Sequence, residues 1–183
     1  MKLIKTQLPE VFILEPTVFQ DTRGHFFESF SQVEFNKLTG LDLIFVQDNI
    51  SRSRQGVLRG IHYQIAPQAQ GKLVQVTQGA VFDVAVDLRR SSPTFTQWVG
   101  YELSAENKRQ LWIPAGFGHG FYSLSNDTDV YYKTTAYHSS DHERSIIWSD
   151  ETLSIDWKNT SDCPLLSEKD KVAKNLNSTD IFE

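Results

Sequence analysis

Apolar residues along this chain recur in short runs, not at helical spacing. Val81 to Leu88 shows the pattern best. Phe82, Val84, Val86 and Leu88 fall on one face and Asp83, Ala85 and Asp87 on the other, which is the two-residue period of a strand. Similar β-branched and aromatic runs cover Ile44 to Ile50, Val57 to Gln64, Lys72 to Thr77, Trp98 to Leu103, Gln110 to Ile113, Gly120 to Leu124 and Val130 to Thr135, separated by Gly, Pro, Asn, Asp and Ser. Many short strands at this spacing predict an all-β sandwich or barrel. One helix is predicted after Ser31, where Ser31 and Glu34 form a capping-box pattern and Gly40 sits at the C-terminal cap. Ser167 to Leu176 offers one or two further helical turns. No linker or shift in composition divides the chain, so residues 1–183 read as one domain.

Composition narrows the function. A length of 183 residues is enough to bury a sizeable core. The net charge of -5 argues against a nucleic-acid partner. A few converging arginines and lysines can still hold an anionic ligand. Cys163 is the only cysteine, so no intrachain disulfide is possible. The apolar run Val11 to Leu14 is too short for a secretory signal, and no stretch approaches transmembrane length. The expectation is a cytoplasmic protein without a membrane partner.

Two of the five histidines stand in unusual settings. His62 ends Gly56-Val-Leu-Arg-Gly-Ile-His62, and His119 ends Pro114-Ala-Gly-Phe-Gly-His119. Each resembles half of the cupin signature, which implies a double-stranded β-helix (jelly-roll) barrel with a few short helices. Metal cupins carry a second histidine two residues after the first, then a glutamate. Here that position is Gln64, and no glutamate follows before Gly79. Two imidazoles are too few to hold a transition metal tightly, so no metal is expected; the resemblance described next implies no coenzyme either. Lys72 opens the apolar run Lys72-Leu-Val-Gln-Val. Either it starts that strand at the barrel rim, or it is aimed inward, where an ammonium would strongly stabilise a developing oxyanion.

Leu58-Arg-Gly-Ile-His62-Tyr-Gln, Lys72-Leu-Val-Gln-Val, Asp83-Val-Ala-Val-Asp87-Leu-Arg, Ser92-Pro-Thr, Ile113-Pro-Ala-Gly-Phe-Gly-His119-Gly-Phe and Leu166-Ser-Glu-Lys-Asp170 together resemble the dTDP-4-dehydrorhamnose 3,5-epimerases. The likeness runs from Asp21 to Asp170. It implies a homodimeric cupin barrel that inverts C5 and C3 beside the C4 ketone of a dTDP-linked 4-keto-6-deoxy sugar, toward rhamnose for cell-surface polysaccharide. It also implies roles: His62 the base, Asp170 its orienting partner, Lys72 the oxyanion stabiliser and Tyr132 the general acid. Ligand contacts are implied for Arg23, Glu28, Gln47, Asn49, Arg59, His119, Glu143 and Lys169. The segment Asp21 to Glu28 is implied to reach the partner subunit's pocket.

Chemistry supports those roles. A hydrogen beside a ketone is acidic because its carbanion delocalises as an enolate, and an imidazole is a suitable base near neutral pH. A carboxylate on the other ring nitrogen fixes the tautomer. Inversion needs a proton from the opposite face, which a tyrosine hydroxyl can deliver. Strand parity puts Val130, Tyr132 and Thr134 on one face and Tyr131 on the other. Parity is awkward elsewhere. Arg59 and His62 are three apart and should face opposite ways, unless Gly60 hosts a bulge or Arg59 reaches in from the rim. The family's base-stacking tyrosine is replaced by His138, a smaller ring, or Tyr137 substitutes if the strand end shifts. Alternatives are a mono-epimerase or ketoisomerase on the same barrel, a non-catalytic sugar-nucleotide-binding cupin, or a metal-dependent cupin oxygenase, which the missing ligands disfavour.

Overall fold

The computed structural model describes residues 1–158 and 163–183. In chain order the strands are β1 (Lys2–Lys5), β2 (Phe12–Glu15), β3 (Phe19–Asp21), β4 (Gly24–Phe26), β5 (Gln47–Ser53), β6 (Leu58–Gln64), β7 (Lys72–Gln78), β8 (Ala80–Asp87), β9 (Trp98–Ser104), β10 (Gln110–Ile113), β11 (Phe117–Ser123), β12 (Thr128–Thr134) and β13 (Glu143–Ser145). Helix α1 (Gln32–Thr39) follows β4, and a single turn, α2 (Glu168–Lys171), lies near the C-terminus. Among the described residues, the strands form an antiparallel six-stranded sheet, β1-β2-β10-β7-β12-β5, a five-stranded sheet, β13-β6-β11-β8-β9, and the hairpin β3-β4. The two large sheets face each other as a jelly roll, so the predicted cupin barrel is what the chain forms.

Both sheets are covered on both faces. Between them lie Ile13, Val74, Val76, Leu111 and Val130 from one sheet and Val81, Ala85, Val99, Leu103 and Phe121 from the other. The outer face of the six-stranded sheet packs Leu73 and Trp112 under Phe35 of α1. Phe82, Val84, Val86 and Leu88, the apolar face read from sequence, point away from the barrel interior onto Leu153, Trp157 and Leu176. The acidic face of β8 is therefore the one that turns inward, and Asp83 and Asp87 are fully buried. Asp87 meets the Arg89 guanidinium and the hydroxyls of Ser92 and Thr94. Burial raises its pKa, but those bonds outweigh it and hold the carboxyl at about 2.

The predicted helix forms with the expected caps. Ser31 accepts from the Glu34 N–H, and Gly40 takes a left-handed conformation and donates to Asn36. The one or two turns read in Ser167 to Leu176 appear as the single turn α2, and Leu176–Ser178 forms a separate 3-10 turn. Five short strands were not read as such: β2 appeared only as an apolar run, and β1, β3, β4 and β13 not at all. The predicted strand Ile44 to Ile50 begins three residues later, at Gln47. This edge strand turns Gln47, Asn49 and Ser51 toward the barrel and leaves Ile50 exposed, as is Ile44 just before it, the reverse of a hydrophobic-in pattern.

Gly60 resolves the parity conflict. Pairing of β6 with β11 runs His62↔His119 and then Arg59↔Phe121, so β6 carries one extra residue between them. Gly60 sits there at φ +116. A Cβ on it would lie 2.6 Å from the Gly120 Cα and 2.7 Å from the His119 carbonyl oxygen. Only glycine fits, and the bulge turns both Arg59 and His62 toward one cavity.

Candidate active site

The barrel mouth opens into a cavity of about 200 Å³. His62 and Arg59 enter it from β6, His119 from β11 and Glu143 from β13, all in the five-stranded sheet. Lys72 from β7, Tyr132 from β12 and Gln47 and Asn49 from β5 face them from the opposite sheet. His138 lines the cavity from the segment after β12, whereas Tyr137 is 65% exposed and does not line it.

His62 Nε2 lies 2.6 Å from Asp170 Oδ1, across 108 residues of chain. The carboxylate accepts the Nε2 proton, which leaves Nδ1 as the basic nitrogen. Asp170 is itself fixed: Ser167 donates its hydroxyl to Oδ2 at 2.7 Å and caps α2 by accepting the Asp170 N–H. Burial alone would raise the Asp170 pKa. The bonds from His62, Ser167 and the Gly60 backbone outweigh it and hold the carboxyl below its ordinary value, so it stays an anion.

Lys72 points inward, which decides between the two placements its sequence left open. It is 8% exposed and donates to the His62 carbonyl oxygen at 3.2 Å. Burial lowers its pKa to about 8 against the opposing pull of Asp83 and Glu143. Tyr132 shares the inward face with Val130 and Thr134, opposite Asn49 of β5. Tyr131 and Lys133 lie on the outer face, against Phe30. Burial, the dominant influence, raises the Tyr132 pKa, so the phenol keeps its proton at neutral pH.

His119 is buried, and its Nε2 lies 3.0 Å from Asp83 Oδ2. Burial pushes its pKa below the usual imidazole value despite that carboxylate. Arg59 is held from behind, donating through Nε to Ser53 Oγ at 3.1 Å and through Nη2 to the Arg52 carbonyl at 3.0 Å. Glu143 bridges Lys169 at 2.5 Å and His138 at 3.6 Å across the rim. Lys169 flanks the cavity without lining it. Arg23 and Glu28 stay outside it: Arg23 is exposed on the β3–β4 hairpin and pairs with Asp21 at 2.6 Å.

Several groups in and behind the cavity were given no role by the sequence reading. Asp83 appeared only within an alternating run and a motif, not as the partner of His119. Ser167 appeared only as the start of a short helical stretch, not as a holder of Asp170. The Ser51 hydroxyl lines the cavity, buried and without a hydrogen-bond partner among the described residues. Gln64, at the position of a metal cupin's second histidine, spends its amide on the backbone. Among the described residues, no cluster of three or more His, Cys, Asp and Glu is arranged to hold a metal ion.

A jelly-roll barrel with a carboxylate-backed imidazole on one sheet and a protonated phenol and an ammonium on the other is a cupin-type acid–base site. The sequence profile of the family described as dTDP-4-dehydrorhamnose 3,5-epimerase matches residues 5–178. The chain belongs to that family. A dTDP-4-dehydrorhamnose 3,5-epimerase of Pseudomonas aeruginosa is 58% identical over 182 residues, spanning 100% of this chain and 99% of its own. The crystal structure of an epimerase from Legionella pneumophila in complex with dTDP-4-keto-L-rhamnose superposes with a TM-score of 0.94 at 54% identity, covering 98% of this chain and 94% of the other. A 3'-monoepimerase from Streptomyces bikiniensis in complex with dTDP-quinovose superposes at 0.89 with 33% identity, over 95% of this chain and 87% of its own.

Proposed function

We propose that the protein epimerises C3 and C5 of dTDP-4-dehydro-6-deoxy-D-glucose to give dTDP-4-dehydro-L-rhamnose, with His62 removing the protons and Tyr132 returning one from the opposite face. The observation that carries this reading is the His62–Asp170 pair at 2.6 Å on one sheet, facing Lys72 and Tyr132 on the other across a single cavity. His62 Nδ1 takes the hydrogen from the carbon beside the ketone. The electron pair moves onto the ketone oxygen, and the Lys72 ammonium stabilises that charge in a site where little water competes. Asp170 stabilises the imidazolium formed. Protonation by Tyr132 on the other face completes inversion. The cavity is smaller than a typical drug-sized site of about 300–1,000 Å³, which suits a sugar ring inside and the nucleotide across the rim. Arg59, pre-positioned by Ser53 and Arg52, offers a guanidinium fork for phosphate oxygens. His138 offers a ring for the base.

Incubation with dTDP-4-keto-6-deoxyglucose in deuterated water tests the assignment. Label at both C3 and C5 of an inverted product is expected. Label at C3 alone would make the protein a mono-epimerase, like the Streptomyces bikiniensis structural relative.

Lys72 sets a pH limit. Its ammonium is lost as pH rises through about 8, so kcat should fall there. The sign for stability is opposite. Its folded pKa lies below its ordinary 10.5, so the unfolded chain binds more protons between those values and this group's contribution to stability rises with pH. A pH–rate profile with a parallel thermal melt separates the two. An alkaline limb near 8 that survives in Lys72→Met would assign it to another group.

A two-fold dimer belongs to the same reading, with Arg23 approaching the partner's cavity. Phe19 and Phe26 on the hairpin and Ile50 on the edge strand are 63%, 70% and 71% exposed. These are exposed apolar side chains, and β5 ends its sheet with one edge unpaired among the described residues, features that a second subunit would cover. Sedimentation should give a dimer, and Arg23→Ala should weaken substrate binding. A fully active monomer would refute it.

A further inference from the structure

Residues 136–139 follow β12 and pair with no strand, yet four successive backbone groups in this segment are all bound by glutamine side chains. Gln70 Nε2 donates to the Ala136 carbonyl at 2.7 Å. Gln64 Nε2 donates to the Tyr137 carbonyl at 3.1 Å. The His138 N–H donates to Gln47 Oε1 at 3.0 Å. The Ser139 N–H donates to Gln64 Oε1 at 2.8 Å. The three glutamines come from β6, the turn after it and β5, and all line the cavity. Gln64 is the centre of the cradle. It is 3% exposed, and its second amide proton goes to the Gln68 carbonyl at 2.6 Å. Both its donors are used, so it has no proton left for a ligand.

Backbone groups of a loop at a cavity mouth normally turn to water. Here glutamine side chains bond those groups and fix the segment. The segment carries His138 to the rim, where Glu143 lies 3.6 Å from its Nε2. Its path is also tied at the root, where the Gly71 N–H donates to Thr135 Oγ1 at 2.8 Å and Thr134 Oγ1 donates to the Ala136 carbonyl at 2.9 Å.

We propose that Gln64, with Gln47 and Gln70, is a positioning residue for ligand recognition: the three amides hold residues 136–139 so that the His138 ring stands ready as a platform for the nucleobase. This rests on the reading of His138 as the base contact. The cradle sets affinity for the nucleotide, while His62, Lys72 and Tyr132 set the rate of inversion. It also gives Gln64 a use in a barrel whose metal-ligand position it occupies.

Gln64→Glu is the sharpest variant. A carboxylate still accepts from Ser139 but faces the carbonyls of Gln68 and Tyr137 with no proton to give. Calorimetry with dTDP should show Kd raised roughly tenfold, the size of the single bond lost to residues 136–139, that to the Tyr137 carbonyl. KM should rise in parallel while kcat stays nearly unchanged. In a His138→Ala background, Gln64→Glu should add little, because both act on the same contact. Equal weakening in both backgrounds would overturn the proposal, as would an unchanged Kd and KM. If His138→Ala alone binds dTDP as tightly as the parent, it is the reading of His138 that fails. Should Gln64→Glu not fold, Gln70→Leu in the same pair of backgrounds decides the matter, with the same expected coupling.

Discussion

His62→Asn is expected to abolish inversion at C3 and C5 together, along with exchange of both hydrogens with solvent. His62 lines the cavity, and with Nε2 bound to Asp170 its basic nitrogen is Nδ1. His119 is not an equivalent base. It is buried against Asp83, and its pKa is pushed down. The asparagine amide reaches only as far as the Nδ1 position, so the bond to Asp170 goes with the base, while Ser167 still holds Asp170 and caps α2. Loss of a general base typically costs roughly 10²–10⁴-fold. Deuterium wash-in, read carbon by carbon, is the measurement. Exchange surviving at C3 would reveal a second base and end the single-base mechanism.

Tyr132→Phe should divide the two halves of the reaction. Enolate formation needs His62 and Lys72, which this change leaves in place. Without the phenol, the proton returns from the His62 side and restores the starting configuration. Inversion should therefore fall by roughly 10²–10⁴-fold, while exchange at C5 falls much less. Following label and product in one reaction gives the ratio directly. Equal loss of both would mean that Tyr132 is needed to form the enolate. Tyr131→Phe is the control. Tyr131 lies on the outer face of β12 and should be silent in both measurements.

The placement of Tyr132 shows what a strand's period makes legible. Once Val130 to Thr135 is read as a strand, only one of two adjacent tyrosines can face inward, and the structure puts Tyr132 there with Val130. The α1 caps were equally legible, because capping is local. Arg59 and His62 show the opposite case. Regular alternation separates them, and a single extra residue at Gly60 reunites them. The sequence offered that bulge as one of two solutions. The positive φ and the 2.6 Å approach to Gly120 that require a glycine are tertiary facts.

Hydrophobic pattern separates the two faces of a strand without saying which one turns inward, and where the barrel interior is a site the inward face is polar. In β8 the apolar face points outward and the acidic face inward. In β5 the polar residues face the cavity while Ile50 is exposed. The usual rule that the apolar side is the inner side holds only where the interior is filled by packing. Here the outer layers, α1 on one sheet and the C-terminal segment on the other, supply apolar cover from outside.

By itself the sequence determined the all-β class, the run of strands, the helix after Ser31 and, through ordered motifs, the family. These rest on periodicity and local chemistry, which a linear reading preserves. Tertiary structure alone decided that Lys72 is buried, that Asp170 meets His62 across 108 residues, that Asp83 backs His119 and that three glutamines hold residues 136–139. Each joins residues far apart in the chain, on opposite sheets, on neighbouring strands of one sheet, or on a strand and a distant turn or helix. Nothing in the local sequence encodes such a pair, because its partners are brought together only when the barrel closes.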